Sequence, residues 1–197
     1  MYKRQGLTWD GTNLWTVDST TDTIYKLNTA GTVLDSFASP GTTLRGLTWD
    51  GANLWTVDSD TDTIYKLNTA GTVLDSFASP GGFPQGLTWD GTYLWNADLF
   101  TAKIYKLNTA GAVLDSFASP GTSPQGLTWD GTNLWTVDST TDMIYKLNTA
   151  GAVLDSFASP GTTLRGLTWD GTNLWTVDST LQEIYKLSVN KYTLVAD

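Results

Sequence analysis

Apolar and polar residues along this chain alternate in short runs with the spacing of strands. From Gly6 to Arg45 the runs fall at about Gln5–Asp10, Asn13–Asp18, Thr23–Asn28 and Thr32–Phe37. Each is rich in Trp, Tyr, Phe, Val, Ile, Leu and Thr, the residues that suit a pleated, half-buried surface. Turn formers separate them: Asp10-Gly11-Thr12, Ser19-Thr20-Thr21-Asp22, Asn28-Thr29-Ala30-Gly31 and Pro40-Gly41. Asp-Gly and Ala-Gly supply the positive φ of tight hairpins, and Asp, Ser and Thr side chains bond nearby backbone amides. No window places apolar residues at i, i+3, i+4 and i+7, which disfavours helical repeats. The pattern predicts a four-stranded antiparallel meander.

That meander repeats. The segment GLTWDG begins at Gly6, Gly46, Gly86, Gly126 and Gly166, a strict 40-residue period without insertions. The first and fourth units differ at only two positions, Thr23/Met143 and Thr32/Ala152. A period of this length indicates a solenoid, a propeller or an array. Aromatic residues fall on both strand parities (Trp15 on one, Tyr25 and Phe37 on others), so a lone meander would expose two apolar faces. Packing in a ring hides both. The expected fold is all-β: a single five-bladed β-propeller domain over residues 1–197, with four-stranded antiparallel blades at about 6–45, 46–85, 86–125, 126–165 and 166–197. The first strand of blade one opens the chain and the fourth strand of blade five, carrying Tyr192, Leu194 and Val195, closes it. No interlocking terminal strand is expected, so closure rests on packing between blades one and five.

The run P-Q-G-L-T-W-D-G-T-x-L-W-x-x-D-x-x-x-x-x-I-Y-K-L-N-x-x-G, from Pro84 and again from Pro124, resembles the NHL-type propeller blade. That group includes gluconolactonase-like and streptogramin-lyase-like propellers, and the resemblance covers essentially the whole chain. It implies a fold rather than an activity. Rings of that group usually have six or more blades, where five units stand here. Its enzymatic members use acidic metal ligands or His on distinct blades, and no such asymmetric set is visible. The Trp-Asp pair is not a WD repeat, since it ends the first strand and has no Gly-His partner.

Composition narrows the function classes. With no Cys and no His, disulfides, thiolate or imidazole metal sites, Cys catalysis and the Ser-His-Asp triad are excluded. A net charge of −9 argues against nucleic acid as partner. No apolar stretch approaches the ~18 residues of a membrane span, and Met1–Gly6 does not read as a signal peptide, so no membrane partner is expected. Acidity, Ser/Thr richness and absent Cys lean towards a secreted or cell-surface setting. The near-identity of the units fits either recent amplification of one blade or a designed symmetric protein.

Repeated acidic positions invite two readings. Asp10, Asp50, Asp90, Asp130 and Asp170 precede the turn glycine, and hairpin chemistry explains them better than a carboxylate ring. Asp18, Asp58, Asp98, Asp138 and Asp178 end the second strand and are expected to accept amides of the following turn. Asp58, Asp60 and Asp62 give a D-x-D-x-D run but lack the Gly and Glu of a calcium loop, so no metal is expected. Lys26 and Asp35 are expected to form a modest cross-strand pair. Trp15 and its equivalents are expected in the core, sharing a face with Val17.

Asymmetry is the better guide to a site. Unit three departs from its siblings at Gly82-Phe83-Pro84-Gln85 and at Leu99-Phe100-Thr101-Ala102-Lys103. These two loops should lie on one face, where Phe83 and Phe100, framed by Gln85 and Lys103, form a candidate binding patch; drift in tolerant loops is the alternative. Gln5, Arg45, Gln85, Gln125 and Arg165 stand one per blade before the first strand, at the same mouth, able to hold an anion or a sugar or merely to solvate it. The expected function is a non-catalytic binding or structural module, a monomer without cofactor, whose partner is an unknown protein or glycan. A multivalent lectin and a metal-dependent propeller hydrolase or lyase are the alternatives.

Overall fold

The computed structural model describes residues 4–181 and 183–189. Blade one comprises β1 (Arg4–Trp9), β2 (Leu14–Asp18), β3 (Thr23–Leu27) and β4 (Val33–Ala38), hydrogen-bonded in that order. Three further four-stranded sheets repeat this meander, and blade five contributes three described strands ending at Ile184–Leu187. The chain is a five-bladed β-propeller. Predicted strand limits hold to within a residue, and β1 pairs with β2 of its own blade, so among the described residues no strand from the N-terminal side enters the last sheet. The closing strand predicted around Tyr192, Leu194 and Val195 lies outside the described residues.

The five inner strands (β1, Leu44–Trp49, Pro84–Trp89, Pro124–Trp129 and Leu164–Trp169) surround the axis, β1 lying against both the second and the last. A five-membered ring brings them close, and one glycine per blade makes that approach feasible. A Cβ on Gly46 would stand 2.5 Å from the Gln85 carbonyl oxygen and 2.6 Å from the Leu87 nitrogen. Gly166 meets Gln5 and Leu7 in the same way, so the ring closes at the axis with the geometry of its other joints. The space left between these glycines is about 10 Å³, scarcely room for one water.

Core clusters lie between blades. Trp15, Val17 and Ile24 of blade one pack on Leu44, Leu47, Leu54 and Leu67 of blade two, and three further seams repeat this. Trp15, Trp55 and Trp95 are each 1% exposed, as expected for core. Trp175, at the seam with blade one, is only partly buried. Each buried indole keeps a polar partner: Trp15 Nε1 donates to Asp10 Oδ2 at 2.8 Å. Asp10 Oδ1 accepts from the Thr12 and Asn13 amides, which is the predicted hairpin chemistry.

Lys26 differs from expectation. It stands opposite Asp35 in register, yet its ammonium lies 3.8 Å from Asp10 Oδ2 and over the Trp15 ring. The indole face and the turn carboxylate together offer more than an exposed Asp35, whose Oδ1 accepts the Ser36 amide.

Candidate functional site

A bulge in each inner strand sets up the loop face. Arg4 pairs with Asp18 and Leu7 with Thr16, so Gln5 and Gly6 together oppose Val17. The Gly6 carbonyl, left out of the ladder, accepts the buried Thr16 hydroxyl at 2.8 Å. In blade three Asn96 replaces that Thr, and its Nδ2 donates to the Gly86 carbonyl at 2.9 Å, so the substitution preserves the bond. The residue before each glycine is thereby turned towards the mouth.

The loops entering each blade and those following its second strand share this face. The Leu99 amide donates to the Phe83 carbonyl at 3.0 Å, and the Ser59, Ser139 and Ser179 amides make the equivalent bonds to Thr43, Ser123 and Thr163. The second-strand carboxylates staple the pair together. Asp58 Oδ1 accepts the Asp60 and Thr61 amides while Oδ2 accepts that of Thr43. Asp98 Oδ2 accepts from Phe83, and Asp138 Oδ2 from Ser123. Burial pushes the Asp178 carboxyl up, but bonds from the Thr163 hydroxyl and the Leu181, Thr180 and Thr163 amides outweigh it and hold the group below its ordinary value. Asp60 is taken by the Thr43 hydroxyl, and among the described residues no acidic cluster has the geometry of a metal site.

Blade three's two loops are neighbours, as expected. Phe100 is 82% exposed and Phe83 36%, and Lys103 is exposed at the start of its strand. Gln85 does not frame them. It is only 4% exposed, and its Nε2 is buried without a hydrogen-bond partner. The reason lies across the loop. In blades two, four and five the side chain at this position bonds the Ser that follows the second strand: Arg45 Nε donates to Ser59 Oγ at 3.3 Å, Gln125 Nε2 to Ser139 Oγ at 3.1 Å and Arg165 Nε to Ser179 Oγ. Blade three has Leu99 there and offers no acceptor.

The mouth positions also divide. Gln5, Arg45 and Arg165 line one polar cavity of about 360 Å³ with Ser19, Thr163, Ser179 and Thr180. Gln85 and Gln125 are buried on the other side of the axis, Gln125 Oε1 accepting from Arg165 Nη1 at 2.6 Å. Both arginines sit in blades adjoining blade one, so the ring places two positive charges beside a neutral Gln5. Burial lowers the affinity of Arg45 for its proton, Arg165 adds repulsion, and Asp60 and Asp58 counter it; burial does the same to Arg165 against Asp178. Pairing of Arg45 with Arg165 required ring closure and was invisible in a linear reading. The available signal was that Arg alternates with Gln at an otherwise uniform position.

No protein-family model and no curated protein sequence matches the chain. Solved structures do, as folds. A glutaminyl cyclase from Myxococcus xanthus superposes with a TM-score of 0.81 at 12% identity, covering 94% of this chain and 90% of that one. A catalytically inactive virginiamycin B lyase from Staphylococcus aureus, solved with quinupristin, gives 0.61 at 19% identity over 94% of this chain and 66% of that one. A nidogen–laminin complex gives 0.65 at 21%, covering 95% and 81%. The chain shares the propeller fold of the streptogramin-lyase type that its sequence resembles, and identities this low speak to fold alone.

Proposed function

We propose that the chain is a non-catalytic binding propeller whose ligand sits on the loop face. The observation that carries this reading is the division of labour among polar groups. The Asp10-type carboxylates are engaged by turns, indoles and lysines and the Asp58-type by loop amides (in Asp18 through Oδ1 alone), whereas the cavity beside Gln5 presents guanidinium, amide and hydroxyl groups. Such groups recognise ligands, and acid–base or nucleophilic chemistry needs different residues in different roles. A monomeric ring is part of the proposal, and light scattering near the 21.4 kDa chain mass tests it.

The test sets a glycan array beside lactonase and lyase assays with added divalent metal. Saturable binding without turnover supports the reading, and metal-dependent turnover refutes it. A multivalent lectin would show up to five equivalent sites. The asymmetric cavity instead favours one, as does the blade-three patch of Phe83 and Phe100. Phe100→Thr separates these two, because it abolishes binding at the patch and leaves the cavity untouched.

A further inference from the structure

Two half-buried guanidinium groups facing one cavity call for an explanation, because charges removed from water are ordinarily paired. The ion pairs among the described residues lie on the other face, between Lys26, Lys66, Lys146 and Lys186 and the Asp10-type turns. Among the described residues neither Arg45 nor Arg165 has a carboxylate oxygen within 4.0 Å. Their bonds are to neutral groups: Arg45 Nε to Ser59 Oγ, Arg165 Nε to Ser179 Oγ at 3.5 Å, and Arg165 Nη1 to Gln125 Oε1. The nearest carboxylates are engaged elsewhere, Asp58 and Asp178 with loop amides and Asp60 with the Thr43 hydroxyl.

Gln5 supplies a second, independent sign. It lines the same cavity, is 4% exposed, and its Oε1 is buried without a hydrogen-bond partner among the described residues. An orphaned buried acceptor is costly until a donor reaches it. Gln5 thus wants a donor, while the arginines, bonded only to neutral groups, want acceptors. A bare anion meets only half of that demand. An anion carried on a hydroxylated body meets both: the Ser19 and Thr180 hydroxyls can exchange bonds with such a body in either direction, and those of Thr163 and Ser179, which already donate to Asp178 and to the Thr163 carbonyl, can accept.

We propose that the cavity between blades five, one and two binds one acidic sugar, its oxyanion held between Arg45 and Arg165 and its hydroxyls directed to Gln5 and the Ser/Thr rim. The proposal rests on the binding-module reading and names its ligand class. The oxyanion is a carboxylate or a phosphate; both accept paired N–H bonds from a guanidinium fork. The closed axis confines the ligand to the loop face, and three neighbouring blades form the site, so the stoichiometry is one per chain.

The ring provides its own fold-compatible variants. Arg45→Gln and Arg165→Gln install the residue that blades one, three and four already carry at this position. Titration calorimetry of the full chain with glucuronate, glucose 6-phosphate, glucose and inorganic phosphate is the experiment. The expected result is one site per chain for glucuronate or glucose 6-phosphate, whichever oxyanion the site prefers, with glucose at least about tenfold weaker. Inorganic phosphate should also bind more weakly than the sugar acid. The double variant should lose about tenfold or more in affinity at an unchanged melting temperature, and added salt should weaken the wild type. Equal binding of glucose, undiminished binding by the double variant, inorganic phosphate as tight as its sugar ester, or no binding of either acid would each overturn the proposal. A glycan that binds wild type and double variant alike refutes this site yet leaves the binding reading standing. Turnover of a lactone refutes the binding reading whatever the arginines do.

Discussion

The seam between blades one and two and the seam between blades five and one are built from nearly the same sequence and packed differently. In the first, Phe37 of the outer strand lies on its own Trp15, ring centroids 6.0 Å apart, and against Gly71 in the next blade's outer turn. A Cβ on Gly71 would stand 2.5 Å from the Phe37 ring. Phe77 and Phe117 meet Gly111 and Gly151 alike. At the last seam Gly31 has nothing within 4 Å among the described residues, which leave an opening of about 190 Å³ lined by Leu14, Leu27, the Asn28–Gly31 turn, Trp175 and Ile184. At the axis, by contrast, the two seams are alike. The inner strands therefore close the ring at both seams alike, and the described residues differ between the seams at the periphery.

The largest expected effect tests that shared axis. Gly86→Ala would drive a Cβ to within 2.5 Å of the Gln125 carbonyl oxygen and 2.7 Å of the Leu127 nitrogen, both backbone atoms that cannot step aside. The expected loss is about 4 kcal/mol or more, read by denaturant unfolding. Gly166→Ala should cost nearly as much if the ring is equally tight at its closing joint. A mild Gly166 variant would show the last seam to be loose throughout.

Next come the tryptophans. Trp95→Ala removes a side chain from a filled seam and should cost about 3–5 kcal/mol. Trp175→Ala acts where packing is already incomplete, and about 2 kcal/mol is expected. Equal costs would refute the distinction between seams. Phe77→Ala, which empties the outer seat of the seam between blades two and three, should fall near 2 kcal/mol for a partly buried ring.

Acid probes the polar side of the same joints. Burial pushes the Asp10, Asp50, Asp130 and Asp170 carboxyls up, but turn amides and the indole donors outweigh it, with Lys26, Lys66 and Lys146 assisting in the first three. All four are held below the ordinary carboxylate value, so the unfolded chain binds their protons more readily. Their stabilisation is complete above about pH 5 and fades as pH falls through the lowered folded-state values. Melting temperature should decline from about pH 5 downwards, and Asp130→Asn should flatten that decline. Lys186 is more exposed than Lys26, so Asp170→Asn at the last blade should change less. The smallest effect belongs to Phe100→Thr, within about 0.5 kcal/mol for a side chain lying in solvent.

The sequence by itself determined what depends on near neighbours. Period, strand limits, the Asp-Gly hairpins and the amide-capping role of Asp58 follow from local pattern and turn chemistry, and the burial of Trp15 from its alternation with Val17. What only the tertiary structure decided involves residues brought together by folding, within a blade or between blades. Gly46 reads as the start of a strand, but its necessity comes from the Gln85 carbonyl of the next blade. Gln85 reads as a surface donor, yet the bulge turns it inward and Leu99 denies it a partner. Lys26 passes over its strand neighbour because Asp10 and the Trp15 face lie together only in the folded blade. Arg45 and Arg165 stand 120 positions apart and share a cavity solely because the ring closes. A repeat specifies each blade through local interactions, but the angle between blades sets which identical positions meet, and that angle is a property of the packed ring.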